Sequence, residues 1–144
     1  MSTQNYANHR RYVPVFHVVL FPLLAATLVG SCVNLYKSLG DHQRIYSASL
    51  ILALTVCTVL LFFLTRIFAL KAQDRAIRAE ENLRHLAFTG KLFDPRLSIR
   101  QIIGLRFAPD AEFLALAKRA ADENLSEDDI KRAIKDWKAD TYRV

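Results

Sequence analysis

From Tyr12 to Tyr36, and again from Ile45 to Thr65, the chain contains no aspartate, glutamate, lysine or arginine. A soluble protein's helix seldom stays uncharged for so long, even in a core, because one face normally meets water. Cysteine is scarce too. Cys32 and Cys57 are too few for a disulfide-stapled secreted domain, and neither has a second cysteine at metal-binding spacing. With both uncharged runs helical, their depths differ by about 12 Å at helical rise, which excludes a bridge and leaves them as small apolar packing residues. There is no glycine-rich phosphate loop, no nucleophile elbow, and no histidine pair at helical spacing with a carboxylate. Neither run holds a carboxylate, which argues against an intramembrane proton relay, a secondary transporter or a membrane-embedded enzyme. The expectation is a protein that is no enzyme and carries no cofactor.

What is present divides sharply. Of 144 residues, 52% are apolar and 24% charged, and these averages conceal two apolar runs and a polar remainder. Sixteen of the 20 lysines and arginines lie in residues 66–144. Such a composition excludes a disordered tail and a multidomain enzyme. Phe16–Tyr36 and Ile45–Thr65 are 21 residues each. At a rise of about 1.5 Å per residue, that length crosses the roughly 30 Å hydrocarbon layer. The first run starts behind fifteen polar or mixed residues and lacks a small-x-small cleavage site, so it reads as a retained span rather than a signal peptide.

The expected organisation is an N-terminal cytoplasmic segment (1–14), a first span (15–37), a short extracytoplasmic loop (38–45), a second span (46–70), a helical extension (71–90) and a small helical domain (91–144). Arg10 and Arg11 precede the first span, and Arg66, Lys71, Arg75, Arg78 and Arg84 follow the second. The loop has only Lys37 and Arg44, offset by Asp41. By the positive-inside rule both termini are cytoplasmic. Small residues recur every fourth position, Ala26 and Gly30 before Asn34, and Ser49, Ala53 and Cys57 in the second span. Such stripes let backbones approach closely, and the expectation is that they face each other within the hairpin, with another subunit as the alternative. Thr27, Ser31 and Asn34 make a polar line for interhelical contact or for lining a pore. Pro22 removes a donor and should kink the first span near Val18; His17 reads as an interfacial histidine bonded to that backbone, haem ligation in a symmetric dimer being the weaker alternative.

No glycine or proline occurs between Gly40 and Gly90, so the second span should run on as one long helix that stops at Thr89-Gly90. Its extension carries Ala69, Ala72, Ala76, Ala79, Leu83 and Leu86 in heptad-like spacing, a narrow seam expected to pack on the chain's own C-terminal helices, with self-association as the alternative. Asp74 precedes Arg78 by four residues, as Glu80 precedes Arg84, in the favourable order for surface pairs. Three short amphipathic helices should follow. Ser98 caps the first, with Ile99, Ile102 and Ile103 on one face. Pro109 ends it, and Asp110 caps the second, with Phe113, Leu114, Ala117 and Ala121. Ser126 caps the third, with Ile130, Ala133, Ile134 and Trp137 inward. Residues 91–144 hold 11 cations and 10 anions, which makes nucleic acid an improbable partner; the excess positive charge sits beside the apolar runs and suits anionic lipid.

Three stretches carry a resemblance. They are Phe68-Ala-Leu-Lys-Ala-Gln-Asp-Arg-Ala-Ile-Arg-Ala-Glu-Glu-Asn-Leu-Arg84, Leu97-Ser-Ile-Arg-Gln-Ile-Ile-Gly-Leu-Arg-Phe-Ala108, and Asn124-Leu-Ser with Ile130-Lys-Arg-Ala-Ile-Lys-Asp-Trp137 and then Asp140 and Arg143. With Gln4-Asn-Tyr6, Asn8-His9, Pro14, His17 and Pro22, the chain resembles an uncharacterised family of small bacterial two-span membrane proteins. The resemblance implies a protein of the bacterial cytoplasmic (inner) membrane with a C-terminal helical cytoplasmic domain, and it implies no activity.

The fold expected is therefore an all-α membrane protein: a transmembrane hairpin, a long helix leaving it, and a bundle of about three short helices. The function expected is an accessory or scaffold subunit of a membrane assembly, docked through its cytoplasmic domain on a protein partner or on copies of itself. A homo-oligomeric channel or membrane sensor is the alternative. The bilayer interface or a partner would meet Tyr6, His9, Arg10, Arg11, Tyr12, His17, Arg66 and Lys71. Arg75, Arg78, Arg100 and Arg106 are the cytoplasmic candidates.

Overall fold

The computed structural model describes residues 4–9 and 12–140, and among them all regular structure is helical. A π-helical segment, Val15–Leu20, leads into α1, Phe21–Ser38; then come α2, His42–Thr89, α3, Ile99–Leu105, α4, Asp110–Asp122, and α5, Glu127–Ala133. The chain divides into two compact units, residues 12–69 and residues 70 onward together with the N-terminal residues. The boundary at Ala69 lies four residues past Thr65, the end of the second apolar run. The N-terminal residues, expected as a segment by themselves, belong to the C-terminal unit.

Two helices are long and apolar enough to cross a membrane, Val15–Ser38 in the first unit and His42–Thr89, which begins in the first unit and ends in the second. The connection is shorter than the expected 38–45. Residues 39–41 make the turn, Gly40 takes a left-handed backbone with φ +98°, and the Asp41 carboxylate accepts from the Gln43 amide at 3.0 Å. The Phe16 and Phe62 rings stack at 4.3 Å, so the two helices run antiparallel. Ser31 and Ser38 of α1 are buried, as are Ala48 and Thr55 of α2, with Leu24, Leu28 and Leu35 and with Ile45, Leu52 and Val59 half-buried beside them. That alternating three- and four-residue spacing is the one by which two helices interdigitate at a shallow angle. It replaces the expected seam. Ala26, Gly30, Asn34, Ser49, Ala53 and Cys57 are all exposed, and nothing lies within 4 Å of a Cβ built on Gly30. Cys32 is exposed too, so neither cysteine packs inside the hairpin.

The wide turn before Pro22 has a local cause. A proline in a continuous α-helix strands the carbonyl four residues back and collides with it. Here the Phe21 amide donates to Phe16 O, five residues back, and Pro22 falls in the first turn of α1, where a missing N–H costs little.

In the second unit, α2 ends as the sequence requires: the Gly90 amide donates to Leu86 O at 2.8 Å, and Gly90 has φ +71°. A full capping box opens α3. The Gln101 amide donates to Ser98 Oγ, while the Gln101 side chain accepts from the Ser98 amide at 2.8 Å. Pro109, and not Asp110, is the N-cap of α4; Asp110 is its first residue and points a carboxylate at Arg84. Ser126 caps α5 by accepting from the Asp129 amide. That helix ends at Ala133, so Ile134 and Trp137 reach the core from a non-helical tail tied by the Lys138 amide to Phe107 O at 2.8 Å. Leu105, Phe107, Phe113, Ala120 and Ile130 form the buried centre, with Trp137 packed against it. Leu116 takes the inward place expected for Leu114, which is exposed.

Candidate functional site

The expected alanine seam does not hold the small domain. Ile77 and Glu81 are buried, and the side chains that grip the domain are Asn82, Arg84, His85 and Phe88. Asn82 Oδ1 accepts from the Phe93 amide at 3.2 Å, and the His85 ring lies 4.7 Å from that of Phe93. Arg84 is the main clasp. Its guanidinium donates to Ala108 O at 2.8 Å, to Asp110 Oδ1 and to Glu81, and sits 4.0 Å from the Phe113 ring centre. Arg84 therefore does not pair with Glu80 as expected. At 100° per residue, this gripping face centres opposite Ala72, Ala76, Ala79, Leu83 and Leu86, all five of which are exposed.

The second feature joins the N-terminal residues to the C-terminal ones. His9 is buried, its ring 5.7 Å from Trp137 and 5.9 Å from Phe107. A lysine can only donate, so the Lys131 ammonium, 3.3 Å from His9 Nε2, fixes the ring proton on Nδ1, which donates to Tyr6 O at 2.6 Å. Lys131 also donates to Glu127 at 2.6 Å. Around this centre the Arg132 guanidinium lies over the Tyr6 ring at 5.3 Å, and Gln4 Oε1 accepts from the Asp140 amide at 2.7 Å. Hydrogen bonding to the Tyr6 hydroxyl raises the Arg132 pKa, keeping the guanidinium charged.

The sequence-derived candidates thus separate. Tyr6 and His9, expected at the bilayer interface, pack on the chain's own helical unit. Arg106, expected to face a partner, is buried, 3.3 Å from the Asp140 carboxylate and 4.6 Å from the Phe107 ring centre. Arg100 is exposed, 3.7 Å from Glu127, and Arg75, Arg78 and Lys71 are exposed. Arg10 and Arg11 lie outside the described residues. Tyr12 stacks on His17 at 4.5 Å, His17 Nδ1 bonds to Val13 O at 2.9 Å, and Arg66 lies over the Phe16 ring at 5.4 Å. His17 thus bonds one turn back, to Val13 O, and not to the backbone near Val18 that the proline was expected to free.

The polar line of α1 is split. Ser31 faces α2 and bonds to Leu28 O, whereas Thr27 is exposed and bonds to Leu23 O, each at 2.8 Å. Thr55, Thr58 and Thr65 likewise bond back to their own helix, at 2.8, 2.8 and 2.6 Å. A hydroxyl satisfied in this way needs neither water nor a neighbour.

A groove of about 230 Å³ opens between α4 and the 91–97 connection, its floor formed by Phe93, Leu97 and Leu114 and its rim by His85, Arg96 and Lys118. Arg96 is committed there: it holds Asp94 at 2.7 Å and Asp122 at 3.0 Å, which raises its own pKa and lowers that of Asp94. Among the described residues no three His, Cys, Asp or Glu side chains gather as a metal ion would require.

Sequence reasoning passed over Arg84, Asn82 and Gln101 as site-forming residues. Gln101 had a local signal, three residues after Ser98. Arg84 had only its neighbour Glu81 as a local partner, and the contacts that make it a clasp lie 24 and 26 residues away.

Compared with known proteins, the whole chain, residues 1–144, matches the model of a family of unknown function, DUF6526. No curated protein matches it. No solved structure matches it either.

Proposed function

We propose that this chain, which belongs to the DUF6526 family, serves as a non-enzymatic accessory or scaffold subunit of a membrane assembly, with its helical C-terminal unit as the docking module. One observation carries the reading: the hairpin turns large apolar side chains outward all along its length. Val18 is 58% exposed, Val29 64%, Leu54 70% and Leu61 62%, a surface that suits lipid and not water. The C-terminal unit has its own apolar core and a surface of mixed charge, the pattern of a domain in water. On this reading the protein sits in the bacterial cytoplasmic membrane with both termini cytoplasmic. Arg66, Lys71, Arg75 and Arg78 lie at the cytoplasmic end, and in the turn the Arg44 charge is offset by Asp41 at 3.3 Å. The partner is a membrane protein or a further copy of the chain, and exposed Arg75, Arg78 and Arg100 are the side chains offered to it. Purification of the tagged chain in mild detergent, with intact mass and subunit identification, tests this. A stoichiometric protein partner, or a defined set of copies, supports it, and a lone monomer in the native membrane extract contradicts it.

A channel lined by α1 has one observation in its favour: the Asn34 amide is exposed and makes no hydrogen bond among the described residues. Asn34→Leu separates the readings, because a pore loses conductance whereas a scaffold keeps its assembly.

A further inference from the structure

The exposed seam of α2 repeats as a coiled-coil heptad. With Ala76 and Leu83 at a positions and Ala72, Ala79 and Leu86 at d positions, Gln73 and Glu80 fall at e, and Arg75 and Asn82 at g. Of the residues that grip the small domain, Arg84, His85 and Phe88 fall at b, c and f and Asn82 at g, with buried Ile77 and Glu81 at b and f, so none of them occupies an a or d position and docking of the domain leaves that face open. Leu83 is 65% exposed and Leu86 39%. Arg75 and Glu80 form no ion pair within the chain among the described residues, and both are exposed. We propose that this face pairs with the same face of a second copy, as a short parallel two-stranded coiled coil. In such a pair each g residue meets the partner helix's e residue five positions on, which sets Arg75 against Glu80 of the other copy and Glu80 against its Arg75. The charge pattern thus fits a second copy of this chain, in register, and names no other partner as well.

The inference deepens the membrane-scaffold reading and rests on it, because anchorage in one bilayer is what makes the two helices parallel and sets their register. Alanine at three of the five seam positions brings the helices close while burying little area per residue, so two heptads alone make a weak contact. A shared membrane confines both copies and raises their effective concentration, which turns a weak contact into a populated one.

Crosslinking in the native membrane tests the proposal on the full chain. In a Cys32→Ser, Cys57→Ser background, single cysteines are placed in turn at each position from 71 to 87 and oxidised after membrane isolation. The expected result is dimer formation that peaks at 72, 76, 79, 83 and 86 and falls at the intervening c and f positions, Asp74 and Arg78 among them. In the Ala79→Cys background, Arg75→Glu and Glu80→Arg should each lower the dimer yield, on the order of fivefold for two ion pairs turned into repulsions. The double variant should restore it, which a fold damaged by either change would not allow. A chain that stays with the membrane yet gives no crosslinks, or gives them without the three- and four-residue period, overturns the pairing alone. A chain released into the soluble fraction overturns the membrane reading and the pairing with it.

Discussion

Gly104 is the residue on which the packing of the small unit turns. A Cβ added there would lie 3.1 Å from Ile130 Cγ2 and 3.2 Å from Glu127 O, so a larger residue would require α3 and α5 to part by a few tenths of an ångström. Gly104→Ala should destabilise the protein by about 1–3 kcal/mol, read as a lowered thermal unfolding midpoint; an unchanged midpoint would mean the two helices part at little cost. Gln101 is a second such point. Buried, it joins the capping box of α3 to Ala120 O at 3.2 Å and Leu125 O at 2.9 Å. Gln101→Leu should cost about 1–3 kcal/mol, more than the loss of an exposed cap, because it leaves Leu125 O and the Ser98 amide without the partners that the buried side chain supplies. Acid should weaken the same unit in a defined direction. Hydrogen bonds from Arg96 lower the Asp94 pKa, and the Ser126 hydroxyl lowers that of Asp129. Each carboxylate therefore stabilises the fold fully above the ordinary aspartate range, and the contribution fades as pH falls through the lowered folded-state value. Asp94→Asn should flatten the acid side of a plot of unfolding midpoint against pH, and an unaltered slope would remove Asp94 from the explanation.

At the scale of elements, much was legible because it is local. Apolar runs bounded by charge give helices of the right length, glycine at 90 gives the stop of α2, and serines at 98 and 126 give the starts of α3 and α5. Which face each helix uses was less legible, because it depends on partners distant in sequence. The stripes Ala26-Gly30 and Ser49-Ala53-Cys57 have a spacing suited to close packing, but the hairpin closes on Ser31 and Ser38 against Ala48 and Thr55. Aromatic contact explains the choice in part: stacking Phe16 on Phe62 fixes the rotation of both helices and turns the small stripes outward. The same holds along α2, where Arg84 finds Ala108 and Asp110 and thereby turns the alanine seam to the surface. The N-terminal cluster was hidden for the same reason, since His9 meets Lys131 across 122 positions. A hairpin prediction follows. Ala48→Leu, at a position 1% exposed, should loosen the helix pair and raise proteolysis within it, whereas Ala53→Leu should leave the hairpin intact. Equal sensitivity at the two positions would contradict the seam.

The whole molecule couples an apolar hairpin to a small unit too short to bury a large core by itself. That unit gains its additional cover from its own chain, from the end of α2 on one side and from residues 4–9 on another. The proposed role needs the hairpin to cross the membrane with the turn outside and the helical unit inside. The most direct test uses the cysteine-free chain with a single cysteine at position 41 or at position 92, treated with a membrane-impermeant thiol reagent in intact bacterial cells. Asp41→Cys should label in intact cells, and Leu92→Cys should label only once the cells are opened. Labelling of Leu92→Cys in intact cells, or of both positions alike, would contradict the proposed topology.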